Sequence, residues 1–297
     1  MMIKQFCVAG WHYQIQFPEG YPLVEELLAS SQPFTEQPTC SDGDLLFVMQ
    51  VDDSFRPEDK GQEIGQFDAS DNHYGIFQNT AGDYCIQVSD PARRQCAILQ
   101  ANACFSRVRI ALAGKASMRS LGLGNAIMMA YAFASADRGT LLMHASVVRE
   151  RGIGYLFLGE SGTGKSTHTA NWLRFIPGTD LLNDDNPVVR WTGQSVVVYG
   201  SPWSGKTPCY RQEQATVGAF VQLEQAPFNA IRSQETLEAF VSVLTSCSVM
   251  KWDPRVYGGI CDTVTQVIGH VPTYHLQNLP DEAAVQLAHK TIASCEP

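Results

Sequence analysis

In the first third of the chain, hydrophobic and polar positions alternate in short runs with a period of two. Residues 73–88 read as a hairpin around the turn Ala81-Gly82-Asp83. Residues 104–112 place Val108, Ile110 and Leu112 on one face and Arg107 and Arg109 on the other. The polar stretch 52–72, with Pro57, Gly61 and Gly65, reads as the most loop-like part. The period changes over residues 118–136, where Ile127, Met128, Tyr131 and Ala134 share a helical face among other apolar residues, as in a buried helix. The pattern predicts a small antiparallel β module over 1–113 and a connecting helix within 114–139.

From residue 140 onward, strand-like runs at 141–148 and 155–158 lead into a glycine-rich turn and a helix that continues to about residue 175. Further strands are expected at 181–189, 196–199 and 217–223, helices at 235–246 and 255–269, a short strand at 273–276 and a last helix at 281–292. Pro280 suits the entry of that helix, where a missing N–H costs little. Several strands follow one another without an intervening helix, so a mixed sheet fits better than strict βαβ alternation. The expected class is α/β (α+β), with a domain over 140–297.

Composition narrows the classes of function. The 297 residues, 44% hydrophobic and 17% charged, can bury a substantial core. The formal net charge of -9 argues against nucleic acid or anionic membrane as a partner. The opening residues lack a secretory apolar region and no run reaches membrane-span length, which leads to a cytoplasmic expectation. None of the nine cysteines lies in a Cys-x-x-Cys pair. Cys85, Cys104, Cys247 and Cys261 fall in apolar periodic segments and read as reduced core residues, with disulfides or a metal site as the less favoured reading.

The chemistry-bearing stretch is Gly159-Glu160-Ser161-Gly162-Thr163-Gly164-Lys165-Ser166, a Gly-x-x-x-x-Gly-Lys-Ser match followed by Thr167. Average residue frequencies give such a match by chance in about one chain in a hundred, so its context decides. The apolar run Tyr155-Leu156-Phe157-Leu158 precedes it and a plausible helix follows, which is the setting of a phosphate loop rather than of a glycine-rich turn that merely opens a helix. In that reading the glycines turn successive N–H groups toward a triphosphate, Lys165 reaches the β and γ phosphates, and the Ser166 hydroxyl serves Mg²⁺. The cofactors expected are ATP and Mg²⁺.

A phosphotransferase also needs a metal carboxylate and a base. Asp184 and Asp185, in Leu181-Leu182-Asn183-Asp184-Asp185-Asn186, supply two carboxylates after a short strand, against the alternative of a solvated acidic turn. His144, within an apolar strand, is either a satisfied core histidine or a group near the phosphates. The segment Gly200-Ser201-Pro202-Trp203-Ser204-Gly205-Lys206 is either a plain loop or, with Trp203, Lys206 and Arg211, a substrate or phosphate clamp.

Taken together, the Gly-x-Ser-Gly-x-Gly-Lys-Ser loop, the upstream His144 and the downstream Asp184-Asp185 pair resemble the HPr kinase/phosphorylase family and its relatives with the phosphoenolpyruvate carboxykinase-type P-loop fold. The resemblance covers residues 141–186, and the Pro-Trp-Ser-Gly stretch extends it to bacterial HPr-kinase-related proteins. It implies that Lys165 and Ser166 hold phosphate and metal, that Asp184 is the general base assisted by His144, and that Asp185 binds Mg²⁺. It also implies a homo-oligomer. The family's glycine-rich signature after the aspartates is absent, with residues 196–206 in its place, which points away from HPr as the acceptor.

The activity implied is transfer of the γ-phosphoryl group of ATP to a hydroxyl, on a small metabolite or on a serine of a protein or peptide, with acceptor recognition assigned to the amino-terminal module. A nucleotide-dependent binding or regulatory protein with little turnover, and a simple NTPase, are the alternatives.

Overall fold

A computed structural model of the chain describes residues 1–37, 44–69, 72–205 and 207–293. It divides into two compact units, Met1–Ser135 and Ala136–Pro297. The helix expected to connect the halves belongs to the first of them.

In the first unit, β1 (Met2–Val8) and β2 (Trp11–Phe17) form a hairpin closed by Ala9 and Gly10, both at positive φ, as a two-residue turn between right-twisted strands requires. A short helix α1 (Val24–Leu27), a 3-10 turn (Ala29–Phe34) and the two-residue strand β3 (Thr35–Glu36) follow. The remaining elements are β4 (Phe47–Val51), β5 (Gln62–Ala69), β6 (Asn72–Gln78), β7 (Tyr84–Ser89), β8 (Gln95–Ala101), β9 (Arg107–Leu112) and α2 (Ala116–Ala134). The strands make one sheet in the order β3-β1-β2-β4-β9-β8-β7-β6-β5. Its apolar face meets α2, where Tyr13 stacks on Phe47 at 4.7 Å and the Tyr131 hydroxyl donates to the Val8 carbonyl at 3.0 Å.

Two expectations for this unit are corrected. The sheet is neither small nor purely antiparallel: β4 pairs in parallel with both β2 and β9, and side-chain alternation carries no information on strand direction. The stretch expected to be loop contains β5, an edge strand whose polar side chains hide its periodicity and guard the open edge. Of the cysteines expected in the core, Cys85 is buried, Cys247 and Cys261 are half-buried, and Cys104 is exposed, in a polar turn before β9.

The second unit contains β10 (Thr140–Leu142), β11 (Ala145–Glu150), β12 (Ile153–Leu158), α3 (Lys165–Phe175), β13 (Thr179–Asp185), β14 (Val188–Trp191), β15 (Val196–Tyr199), β16 (Gln214–Gln225), β17 (Ala230–Ser233), α4 (Thr236–Thr245), α5 (Pro254–His270), β18 (Thr273–Asn278) and α6 (Glu282–Ile292). The sheet runs β10-β14-β15-β16-β12-β11-β13, with β18 beside β16 and β17 beside β18. It is mixed: β12, β16 and β18 are parallel and the other pairs antiparallel. Trp172 of α3 is fully buried between Tyr155 and Phe157 of β12 and the apolar face of α6.

Helix entries follow from sequence. Asp253 caps α5, with Pro254 in its first position. Asp281 caps α6, with Pro280 just before it. Glu235 and Glu238 form a capping box on α4. Two runs read as single strands are each broken in two. The first breaks at Met143 and His144, whose backbone N–H groups bond to Pro187 and Ser246 instead of to the ladder. The second breaks at Asn186-Pro187, where proline offers no donor. Among the described residues no helix is long and apolar enough to cross a membrane.

Candidate functional site

The apolar strand β12 ends at Leu158, and the chain from Gly159 to Gly164 leads directly into α3. Gly159, Gly162 and Gly164 have φ of 145°, 89° and 100°, in the region that glycine adopts without a Cβ penalty. Side chains hold the loop from two directions: Thr163 Oγ1 donates to the Glu160 carbonyl at 2.8 Å, and Gln225 Nε2 from β16 donates to the Gly162 carbonyl at 3.0 Å. No side chain caps α3, so the N–H groups of its first turn keep the donors that an anion at a helix start uses. Ser161, Ser166 and Thr167 are exposed there.

Lys165 is buried, and its ammonium group has three partners: the Gly159 carbonyl at 2.7 Å, the Glu160 carbonyl at 3.2 Å and His144 Nε2 at 2.9 Å. Burial lowers its pKa, and the charges of Asp185 and Asp184 work against that. An ammonium group can only donate, so Nε2 of His144 accepts and the ring proton sits on Nδ1. Nδ1 in turn donates to Asp185 Oδ1 at 2.9 Å. Lysine, histidine and aspartate thus form one chain across the end of the sheet.

The two aspartates have different surroundings. Both end β13, where successive side chains point to opposite faces, and the ladder sets Asp184 opposite Ser146 and Asp185 opposite Ala145 of β11. Asp184 is 3% exposed. Its Oδ1 accepts from Ser146 Oγ at 2.7 Å and from Ser166 Oγ at 3.1 Å. Asp185 has a side chain 26% exposed and a φ of 145°, a conformation almost confined to glycine that persists only where the surroundings enforce it. Besides His144 it accepts from Asn186 Nδ2 at 2.8 Å.

Residues 200–205 support this strand end. Gly205 N donates to the Asp184 carbonyl at 2.5 Å, and a Cβ on Gly205 would lie 2.9 Å from that oxygen and 3.1 Å from Asp185 Cβ. Asn183 Nδ2 donates to Ser201 Oγ and the Trp203 carbonyl, both at 3.2 Å. The glycine and small residues of the segment are therefore needed for close approach to the aspartates.

The expected clamp takes a different form. Trp203 is 8% exposed and packed in, not the lining of an open groove. Arg211 donates to Asp180 and Glu213, each at 2.9 Å, and to the Leu181 carbonyl, so its guanidinium is committed to a network shared with Arg149. Among the described residues no polar contact links Arg211 to the glycine-rich loop. Lys206 lies outside the described residues.

Three residues of the site escape sequence reasoning. Ser146, Asn183 and Gln225 are unremarkable residue types in strands, and only the strand register shows what they touch. An open depression borders the loop, lined by Glu160, Ser161, Gly162 and Thr163 with Gln222, Glu224, Gln225 and His275. It lies at the carboxyl ends of the parallel strands β12, β16 and β18, where open α/β sheets generally bind ligands.

No protein-family model matches the chain, and no curated protein matches it. Among solved structures, the Hpr(Ser) kinase/phosphatase from Coxiella burnetii is similar at 14% sequence identity over 51% of this chain and 92% of that one, with a TM-score of 0.30.

Proposed function

We propose that the second unit binds a nucleoside triphosphate with Mg²⁺, ATP being the natural candidate, and transfers the γ-phosphoryl group to a hydroxyl acceptor. The observation that carries this reading is the contact between Ser166 and Asp184, with the Lys165–His144–Asp185 chain beside it. It sets a metal-type hydroxyl and carboxylate next to a cation and a second, more exposed carboxylate. A glycine-rich turn that merely opened a helix would need none of these.

The donors fit the metal. Ser166 Oγ and the Asp184 carboxylate are hard oxygen ligands of the kind Mg²⁺ prefers. When bound, the metal neutralises charge on the phosphate oxygens. The main-chain N–H groups of residues 162–166 would cradle the phosphates, and Lys165 would exchange its carbonyl partners for phosphate oxygens.

For the proton, the geometry supports Asp185, the reverse of what the family resemblance implies. Asp184 is buried with two hydroxyls already donating to one oxygen, and His144 faces Asp185. As the acceptor oxygen bonds to the γ phosphorus, its proton passes to the Asp185 carboxylate. The bond from that phosphorus to the bridging oxygen breaks, and the nucleoside diphosphate leaves. His144 positions the carboxylate through Nδ1–H. The acceptor class stays as the sequence has it, a small metabolite such as an amino acid or sugar, or a serine in a protein or peptide.

Equilibrium binding of Mg-ATP to the full chain and to Lys165→Ala tests the first half of this proposal. Removal of one charge-assisted contact should weaken binding about tenfold or more. Equal affinity in the two proteins would refute the assignment of the loop.

A further inference from the structure

We infer that the first unit carries a zinc-type divalent metal site formed by Cys7, His12 and Glu36, independent of the nucleotide chemistry of the second unit. The β1–β2 hairpin sets Cys7 directly opposite His12, so that thiol and imidazole share one face of the sheet. β3 lies on the other side of β1 with Glu36 opposite Gln5, and residues 5 and 7 project to the same face. Three neighbouring strands therefore bring a sulfur, a nitrogen and an oxygen together, all within 4.8 Å of one another. His12 Nε2 and Glu36 Oε2 are 2.9 Å apart.

The identity of the donors selects the metal. Thiolate and imidazole favour Zn²⁺ over Mg²⁺ or Ca²⁺, and cysteine, histidine and carboxylate are all ordinary zinc ligands. Zinc bond lengths place the donors of a tetrahedral site about 3.5 Å apart, which side-chain rotation reaches from the separations present. Three protein ligands leave a fourth position open. All three residues are partly exposed, so water or a small ligand can reach that position.

The adjoining pair on the same face is also polar: Gln5 and Gln14 are buried and joined by a 3.0 Å hydrogen bond. The opposite face of the same hairpin is apolar core, with Phe6, Val8, Tyr13 and Ile15. The sequence hides the site because its ligands come from three strands without a Cys-x-x-Cys pair.

The test is Co²⁺ titration of the full-length, chelator-treated protein, followed by absorption. One equivalent should give a thiolate-to-cobalt charge-transfer band with intense tetrahedral d–d bands, and Zn²⁺ should displace the cobalt. Cys7→Ser should abolish the charge-transfer band, and His12→Gln should weaken binding at least tenfold, whereas Cys104→Ser should leave the spectrum unchanged. Cobalt held at Ser166 and Asp184 would have oxygen ligands and no such band. Absence of the band in the unaltered protein, or its survival in Cys7→Ser, overturns the site. Should Cys7→Ser fail to fold, X-ray absorption of the unaltered zinc-loaded protein decides: one sulfur in the first shell supports the site, and none overturns it.

Discussion

His144 and Asp185, forty-one positions apart in the chain, meet at 2.9 Å at the end of the sheet. The histidine's other nitrogen is held by Lys165, which fixes the tautomer that can donate to the carboxylate. If Asp185 takes the acceptor proton, Asp185→Asn should lower kcat by about 10²- to 10⁴-fold, the range for loss of a general base. The KM for nucleotide should change little. His144→Gln should cost less and shift the pH profile of kcat. Steady-state kinetics across pH reads both.

Asp184 carries a different expectation. On the proposed reading its contact with Ser166 makes it a metal ligand, so Asp184→Asn should raise the Mg²⁺ concentration for half-maximal activity about tenfold or more and weaken nucleotide binding in parallel. Magnesium titration at fixed nucleotide measures this. An unchanged magnesium requirement with lost turnover would restore Asp184 as the base.

Gly205 is expected to tolerate no side chain. A Cβ there would lie 2.9 Å from the Asp184 carbonyl oxygen, a backbone atom with little room to move. Gly205→Ala should destabilise by about 1–3 kcal/mol, as overpacking typically does. It should also lower activity more than stability alone explains, because it displaces both aspartates. Thermal unfolding and turnover, measured on the same preparation, separate the two effects.

His168 gives the second unit a pH dependence. It is buried in α3, accepts from Trp172 Nε1 at 3.0 Å, and burial pushes its pKa down to about 4 from 6.5. The unfolded chain therefore binds a proton that the folded chain refuses. Stability is fully present above pH 6.5 and falls as pH drops toward 4, by on the order of 3 kcal/mol. His168→Gln keeps an acceptor for Trp172 and should flatten this part of the profile in denaturant unfolding at successive pH values.

Much of the second unit could be read from the sequence. Local periodicity and its flanking signals placed β12, α3, β15 and α4 to α6 nearly to their ends, because there the local pattern and the tertiary packing agree. The site was legible as a set of residues but not as a set of contacts. Adjacent positions in a strand face opposite ways, so the different surroundings of Asp184 and Asp185 depend on the register of β13 against β11, which no local signal encodes.

Arg211 illustrates the converse, since a cation near a candidate loop looks like a phosphate ligand until its carboxylate partners Asp180 and Glu213 come into view. In the first unit, β5 escaped notice because an edge strand with polar side chains lacks the alternation that marks a half-buried one.

Phosphoryl transfer itself is tested by incubating the full-length protein with ATP labelled in the γ phosphate, Mg²⁺ and a cell extract, with Asp185→Asn in parallel. Label should pass to a hydroxyl of a metabolite, protein or peptide, and the variant should bind Mg-ATP while transferring about a hundredfold less or lower still. Stable Mg-ATP binding by the unaltered protein without a labelled acceptor, or release of the label only as free phosphate, would contradict the kinase assignment.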